Sequence, residues 1–309
     1  RATLKKYKPV VIGIAGSSGT AEARNAVFAV LKNNYYIRTA EENYRDAMGL
    51  ALTILGFPHP GKNIFLWFLE LARSFVKAYL VSITYPDILI LEYGVQRTGD
   101  AKQFLSIATP SIFVLTTMDD AASQEISFSD PDNYIGEMKK IASSLPDNGY
   151  AIINHDDDST YDVKDATRAH TMTYGFEPHA DIKIVHHEVR VSKEKDSGDV
   201  PEGVTVKLEH SGSMTPCRIH DAIGKSHVYA AAASASVGLV LNMNLVEISE
   251  ALHGYIPPPG RMRILRGIQN STIIDDSYAA TPDSMRLALE TLAAFPGRAG
   301  RKIALLGDI

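Results

Sequence analysis

The sequence predicts an α/β protein with a doubly wound, mostly parallel sheet and a small antiparallel patch. Apolar runs rich in β-branched residues recur at residues 9–16, 87–93, 111–117 and 149–154. Segments with helical spacing separate these runs. Strands that are buried on both faces have continuous apolar sequences, and helices are the usual connections between parallel strands. The alternation of the two kinds of segment therefore favours a parallel sheet covered by helices.

The antiparallel patch is predicted in the second half of the chain. Residues 181–185, 188–192 and 204–209 alternate apolar and polar side chains, which is typical of strands with one face in solvent. Two helical segments follow, at 226–241 and 245–253.

A proline-rich segment, Pro-Pro-Pro-Gly at 257–260, marks the best domain boundary. After it, the pattern predicts a strand at 271–276, a helix at 282–295 and a strand at 302–306. We interpret these as one βαβ unit. A lone βαβ unit buries its sheet faces poorly, so we expect more chain after Ile309 or a covering partner.

The composition is that of a globular protein, and its net charge is too small to produce a strong electrostatic field. The 309 residues carry a net charge of −5, with a pI of about 6.1, so no attraction to nucleic acid or to an anionic membrane is expected. The single cysteine, Cys217, forms no internal disulfide, and no signal peptide is present, which together predict the reducing cytoplasm. Charges at Glu70, Arg73 and Lys77 interrupt the apolar run 64–80, which predicts a surface or core-edge helix and no membrane span.

A glycine-rich turn between the first strand and the next helix is the first candidate binding site. It reads Gly16-Ser17-Ser18-Gly19. Small residues at a helix N-terminus let backbone N–H groups face a phosphate, so the turn is a phosphate-binding candidate. The alternative is a turn of this shape that binds nothing.

Several acidic and histidine residues are candidate metal ligands. Glu92 ends a buried strand and is either a metal ligand or a charge at the solvent end of the strand. The run 156–158 is three aspartates and reads as solvated loop. His186 and His187 are adjacent on a predicted strand and point to opposite faces, which does not favour a shared metal.

Six short segments together resemble the Mur ligase family. The most specific is Ile-Asp-Asp-Ser-Tyr-Ala-Ala-Thr-Pro-Asp-Ser-Met-Arg at 274–286, where the family has Asp-Asp-Ser-Tyr-Asn-Ala-Asn-Pro. The others are 301–308, 259–262, 52–56, 91–94 and 99–100. Within the family, the chain is most similar to the members that add D-alanyl-D-alanine to a UDP-MurNAc-tripeptide.

The resemblance implies a domain organisation and a reaction. Residues 1–258 correspond to the central ATP-binding domain of the P-loop type, and 259–309 to the start of a Rossmann-like C-terminal domain that is cut short. From the same resemblance, we expect no N-terminal UDP-sugar domain within residues 1–309. In the family, ATP phosphorylates a substrate carboxylate and an amine then displaces the phosphate, with cations stabilising the transferred phosphoryl group. ATP, Mg²⁺ and a UDP-MurNAc-peptide are therefore the implied cofactors and substrate.

The resemblance also assigns site residues. The implied ATP-binding residues are Gly16, Ser17, Ser18, Gly19, Thr20, Arg261, Asp276 and Tyr278. The implied metal ligand is Glu92, and the implied substrate-binding residues are Asn43, Arg45 and His227.

The catalytic positions depart from the family pattern. Thr20 stands in place of the phosphate-binding lysine, and Ala21 in place of the hydroxyl residue that ligates Mg²⁺. Ala122 falls at the metal-ligand histidine, and Asp119 and Asp120 are the nearby alternatives, although neither has the expected spacing. Met138 falls at the carbamylated lysine, and Lys139 or Lys140 would serve only if the register slips. Arg24, one helical turn after the glycine-rich turn, is the candidate replacement catalytic cation, if it reaches back to the turn.

Three hypotheses for function follow. The first is an ATP-dependent amide ligase of peptidoglycan precursor synthesis that acts through Arg24. The second, which we favour, is a non-catalytic pseudo-ligase that binds a protein partner, a nucleotide or neither. The third is a ligase that joins a different acid and amine.

Overall fold

The computed structural model describes residues 1–40, 44–118, 131–194, 198–278, 282–294 and 301–307. Most of these residues form one nine-stranded sheet with helices on both faces. Its strands are β1 (Val10–Ala15), β2 (Ile37–Thr39), β3 (Ile88–Glu92), β4 (Ile112–Leu115), β5 (Tyr150–Asn154), β6 (His170–Gly175), β7 (Ile182–Glu194), β8 (Gly198–His210) and β9 (Ser213–His220).

The order of the strands across the sheet is β2-β3-β1-β4-β5-β6-β7-β8-β9. The pairs from β2 to β7 are parallel, and β7-β8 and β8-β9 are antiparallel. The structure thus confirms the predicted fold class, a mostly parallel sheet with an antiparallel patch.

Ten α-helices are present in the described part of the chain. They are α1 (Ala2–Tyr7), α2 (Thr20–Leu31), α3 (Ala47–Leu55), α4 (Ile64–Tyr79), α5 (Asp100–Ile107), α6 (Pro131–Ser143), α7 (Asp158–Tyr161), α8 (Lys225–Val240), α9 (Leu245–Leu252) and α10 (Pro282–Ala294).

The two faces of the sheet carry separate apolar clusters. Helices α2 and α8 pack on one face, where the many small residues of α8 allow close approach. Helices α3, α5 and α6 cover the other face. Burial of apolar surface on both faces explains why β1, β3 and β4 have continuous apolar sequences.

Two predictions for the antiparallel patch need correction. The predicted strands 181–185 and 188–192 are one strand, β7, with a register shift between Ile184 and His186. Strand β9 was not predicted, and it contains Pro216. Because β9 is the last strand of the sheet, the missing N–H of a proline is tolerated there.

The predicted βαβ unit near the end of the chain is also corrected. Strand β11 (Thr272–Asp275) pairs antiparallel with an unpredicted strand, β10 (Arg263–Arg266), and the two form a separate small sheet. Residues 301–307, where a strand was predicted, form none. A strand needs a neighbour for its backbone N–H and C=O groups, and the neighbour of β11 in the described residues is β10.

Candidate functional site

The candidate site lies where β3, β1 and β4 end side by side. Strand β1 is flanked by β3 on one side and by β4 on the other. The chain passes from β1 to β2 on the β3 side and from β3 to β4 on the opposite side, so neighbouring strands send their connections in opposite directions. Ligands in open α/β sheets bind at the carboxyl ends of strands at such a position. The glycine-rich turn follows β1, and Glu92 is the last residue of β3.

The glycine-rich turn is held against the end of β4. The backbone N–H and the hydroxyl of Ser17 both lie 2.8 Å from the carbonyl oxygen of Thr117 and donate to it. The hydroxyl of Thr116 donates to the carbonyl of Ser18 at 2.6 Å. Gly16 has φ of 145°, and a Cβ there would overlap the Thr116 hydroxyl, so the turn requires glycine at this position.

Helix α2 begins directly after the turn. Its N-cap is Gly19, with φ of 77°, and its first two residues, Thr20 and Ala21, are buried. The first four N–H groups of a helix have no partner within it, and together they favour an anion. The predicted strand, turn and helix are therefore present, and the buried side chain at position 21 is a methyl group.

A buried ion pair connects α2 to β3. One guanidinium nitrogen of Arg24, Nη1, lies 2.6 Å from Oε1 of Glu92, and the two side chains are 9% and 3% exposed. The same guanidinium donates to the side chain of Asn25. Arg24 was proposed to reach back to the glycine-rich turn, and the structure places its charge against Glu92.

A second arginine approaches the other oxygen of Glu92. Nε of Arg45 lies 3.1 Å from Oε2 of Glu92. The contact is an ion pair without hydrogen-bond geometry. Arg45 was predicted to bind substrate. It lies in the segment before α3, where its carbonyl also accepts from Gly94 N–H. Glu92 is therefore enclosed by two positive charges.

The residues at this position do not fit the implied Mg²⁺. Both oxygens of Glu92 face guanidinium nitrogens, and Ala21 offers no ligand atom. Over the described residues, no three or more His, Cys, Asp and Glu side chains cluster as metal ligands would. A carboxylate that is already neutralised by arginines has lost the negative charge that attracts a divalent cation.

Three further predicted positions were Asn43, Ala122 and Met138, and the structure describes only the last of them. Asn43 and Ala122 are outside the described residues. Met138 lies on α6 and is fully buried in the apolar cluster under that helix. Lys140, two residues later, pairs with Glu137, whose carboxylate also accepts from the N–H of Ala101 at the start of α5.

Aspartates 156 and 157 stabilise the local backbone. Asp156 accepts from the N–H of Phe176 and from the hydroxyl of Tyr229. Asp157 caps α7 through Thr160 N–H and accepts from the N–H of Met118. The prediction of a solvated loop is therefore corrected for Asp156 and Asp157, because both carboxylates accept hydrogen bonds from the protein.

The linker and α2 border an open cavity of about 600 Å³. The cavity is lined by Arg24 and Lys32 from α2, and by Arg261, Arg263 and Tyr278 on the linker side. The guanidinium carbon of Arg261 lies 4.7 Å from the ring centre of Tyr278, within cation–π range. Two of the predicted ATP-binding residues thus meet at a cationic, partly aromatic cavity beside α2.

Asp276, the third predicted residue of this region, organises the linker. It accepts from the N–H of Met262, while Asp275 accepts from the N–H of Gly260. Burial raises the pKa of Asp276, and the Met262 hydrogen bond and the Arg261 charge oppose this effect. Asp276 therefore supports the backbone that carries Arg261.

His227 is inside the protein. It is fully buried on α8, with Nδ1 2.7 Å from the Tyr255 hydroxyl and Nε2 2.8 Å from the carbonyl oxygen of Arg261. Burial lowers its pKa. As placed, His227 connects α8 to the linker and presents neither nitrogen to a substrate.

The ion-pair role of Arg45 and the buried carboxylate of Glu137 were missed from the sequence. A signal for the first was present, because the family resemblance implies an amide at the position where this chain has Arg45. Glu137 follows no recognisable spacing, because its partners are a backbone N–H and a lysine one turn later.

Comparison with known families gives two matches. The Mur ligase middle domain matches residues 14–238, and the Mur ligase glutamate ligase domain matches residues 260–309. One relative is the UDP-N-acetylmuramoyl-tripeptide–D-alanyl-D-alanine ligase of Bacillus subtilis, 24% identical over 100% of this chain and 58% of its own length. The enzyme of that name from Mycobacterium tuberculosis is 26% identical over 97% of this chain and 52% of its own length. The chain thus spans about half the length of the curated relatives it matches.

Solved structures share the fold. A MurF crystal structure from Acinetobacter baumannii superposes with a TM-score of 0.73 at 18% identity, covering 96% of this chain and 56% of that one. MurF from Thermotoga maritima in complex with ADP gives a TM-score of 0.66 at 20% identity, covering 96% and 60%.

Proposed function

The chain belongs to the Mur ligase family, and from that premise we propose that it binds an adenine nucleotide without catalysing amide ligation. The observation that carries the proposal is the enclosure of Glu92 by Arg24 and Arg45. In this arrangement, protein cations hold the carboxylate that would otherwise bind a metal ion.

Phosphoryl transfer needs cations that are directed at the phosphates and free to follow the developing charge. Thr20 has no charge at the position where the resemblance implies a lysine, and Ala21 has no hydroxyl at the position where it implies a metal ligand. The guanidinium of Arg24 is committed to Glu92 at 2.6 Å. Loss of one transition-state contact costs about 3–4 kcal/mol, and several such contacts are lost here.

Cations near the N-terminus of α2 support the binding of an anion. Arg24 and Arg45 lie against Glu92, and the first turn of α2 carries a second buried carboxylate, Glu22, so the attraction must come mainly from the cations of the adjoining cavity. The adjoining cavity adds Lys32, Arg261 and the ring of Tyr278. A T. maritima family structure contains ADP. In the proposed complex, the nucleotide phosphates contact the cavity cations, chiefly Arg261, and the adenine base lies near the ring of Tyr278.

The alternative is an active ligase that adds D-alanyl-D-alanine to a UDP-MurNAc-peptide. The observation in its favour is the similarity to enzymes of that name over the full length of this chain. It requires Arg24 to leave Glu92 and turn towards the transferred phosphate.

We assign the domain boundary to 258/259, which is supported by the separate family matches on either side of the proline-rich linker. The cytoplasm is the proposed location, since Cys217 is a buried free thiol.

Calorimetric titration with ADP in metal-free buffer tests the binding proposal. We expect saturable binding that weakens on the order of tenfold in Arg261→Ala, the size of one lost charged contact. Arg168→Ala, which removes an exposed arginine outside the cavity, is the matched control and should leave the affinity unchanged.

Turnover is tested by phosphate release with ATP, Mg²⁺, UDP-MurNAc-tripeptide and D-alanyl-D-alanine. The B. subtilis ligase serves as the positive control. We expect no release above the protein-free blank. Release at about 1 s⁻¹ or faster, within the usual enzymatic range, would establish the alternative instead.

A further inference from the structure

Helix α4 is amphipathic, and its apolar face points away from the protein. A stripe at spacing i, i+4, i+7, i+11 and i+15 is highly exposed: Ile64 82%, Phe68 71%, Leu71 53%, Phe75 59% and Tyr79 64%. The side turned inward carries Trp67, Glu70, Ser74 and Ala78, which are mostly small or polar. A surface helix of a globular protein normally buries its apolar stripe, so this orientation is the reverse of the usual one.

The start of α4 is fixed to the protein in this orientation. The side chain of Asn63 caps the helix by accepting from the N–H groups of Phe65 and Leu66. Trp67 donates from Nε1 to the carbonyl of Gly61 and packs edge-on against Phe57.

The end of α4 is fixed as well. Nζ of Lys6, on α1, donates to the carbonyl oxygens of Lys77 and Val81 at 2.9 and 2.7 Å. The hydroxyl of Tyr7 also donates to the Lys77 carbonyl. Both ends of the helix are therefore held, and the exposed stripe is a built surface of the fold.

The segments that contain α4 and the adjoining α1 are rich in cations. Residues 1–8 and 59–81 contain seven Lys and Arg against one Glu, whereas the whole chain has 31 Lys and Arg against 36 Asp and Glu. The net charge of −5 thus conceals one strongly basic region. The cations are Arg1, Lys5, Lys6 and Lys8 on or beside α1, and Lys62, Arg73 and Lys77 on or beside α4, all exposed.

A second copy of the chain is a poor occupant of this face. A symmetric dimer places the same patch of both copies together, so two strongly basic regions would meet and repel. An anionic surface with an apolar interior satisfies both halves of the pattern. We propose that α4 and the adjoining α1 form a peripheral binding site for an anionic lipid bilayer.

The dimensions of α4 suit a helix that lies flat on the bilayer. Sixteen residues span about 24 Å, less than the hydrocarbon core of about 30 Å. No helix of the described residues has the length and apolar character needed to cross a membrane. Phe68, Leu71 and Phe75 enter the interface, while Arg73 and Lys77 reach the lipid phosphates along the flanks.

Vesicle co-sedimentation of the 309-residue chain tests the proposal. The probes are vesicles of pure phosphatidylcholine and vesicles with about one third phosphatidylglycerol. We expect binding to the anionic vesicles that exceeds binding to the neutral ones by at least about tenfold, and that falls with added salt.

Two variants locate the site. Phe68→Ser/Phe75→Ser should reduce binding to anionic vesicles by at least about tenfold, because two aromatic rings no longer enter the interface. Val246→Ser/Ile268→Ser removes two apolar side chains that are similarly exposed elsewhere and should bind as the wild type does. All three proteins are compared at equal far-ultraviolet circular dichroism and thermal midpoint.

Three results would overturn the proposal. Sedimentation with anionic vesicles that does not exceed the vesicle-free blank is the first. Binding that Phe68→Ser/Phe75→Ser leaves unchanged is the second. The third is a micromolar dimer, seen by analytical ultracentrifugation and lost in that variant, which would assign the face to a second copy. None of these results depends on whether the chain binds a nucleotide.

Discussion

Arg24 and Glu92 form a buried ion pair, with 2.6 Å between Nη1 and Oε1, which joins the second turn of helix α2 to the end of strand β3. Arg45 approaches the same carboxylate from the segment before α3. Three elements around the glycine-rich turn are therefore connected by charges inside the protein. We expect this cluster to stabilise the fold and to make nucleotide affinity independent of Mg²⁺.

Glu92→Gln should destabilise the fold strongly. The change leaves two guanidinium groups beside a neutral amide, and breaking a buried pair by removing one partner costs about 3–5 kcal/mol. Glu70→Gln, which breaks the more exposed pair with Arg73 on α4, is the control and should cost less than about 1 kcal/mol. Urea unfolding measures both changes in the free energy of unfolding. Equal effects of the two substitutions would contradict the structural importance of the Glu92 cluster.

Gly16→Ala should be more costly than an alanine at another glycine with positive φ. At Gly16 the new Cβ overlaps the Thr116 hydroxyl, whereas at Gly99, with φ of 100°, no atom lies within 4 Å. Both substitutions strain the backbone by about 1–3 kcal/mol, and Gly16→Ala adds a clash with the end of β4. We expect its free energy of unfolding to fall by at least about 2 kcal/mol more. A similar loss for both variants would show that the turn is not pressed against Thr116.

The stability of the protein should depend on pH through His227. Burial lowers the pKa of this imidazole in the folded state, so the unfolded chain binds the proton more readily. The contribution of His227 to the free energy of unfolding is therefore complete above the ordinary histidine pKa of about 6.5. It declines as pH falls below that value, by at most about 1.4 kcal/mol per pH unit.

His227→Gln should remove this contribution, and urea unfolding at pH 7.5 and pH 5.5 measures it. Exposed His179 provides the control, because His179→Gln should keep the wild-type difference between the two pH values. Lowered pKa values at His187 and His220 leave a remaining pH dependence in every variant. An unchanged slope in His227→Gln would refute the assignment.

Cys217 should resist thiol reagents in the native protein. Its side chain is fully buried, and burial raises its pKa to about 11, against a weaker lowering effect of the Ser249 hydrogen bond. Labelling with a disulfide reagent at pH 8 should be at least about a hundredfold slower than in urea, because the thiolate is both scarce and inaccessible. Rapid labelling without urea would mean that the sheet opens near β9.

Much of the fold was predictable because its signals are local. The apolar runs of β1, β3, β4 and β5 are continuous since both faces of those strands are buried. Strand β10 gave no such signal. It holds only four residues, and its pairing with β11 depends on a turn closed by Gly267 and Ser271.

The candidate site was predictable in position but not in detail. The order strand, glycine-rich turn and helix follows from residues close together in the sequence. The partner of Arg24 is 68 residues away on another strand, and the sequence alone contains no distance between them. His227 shows the same limit, since its burial depends on the packing of α8 against the linker and Tyr255.

The most direct test of the central claim is the effect of Mg²⁺ on nucleotide affinity. ADP is titrated by calorimetry with and without excess Mg²⁺, into this chain and into the B. subtilis ligase for comparison. If arginines have replaced the metal around Glu92, the affinity of this chain for ADP should be the same within about twofold in both buffers. An affinity that tightens tenfold or more with Mg²⁺ would contradict the claim, and so would a failure to bind ADP in either buffer.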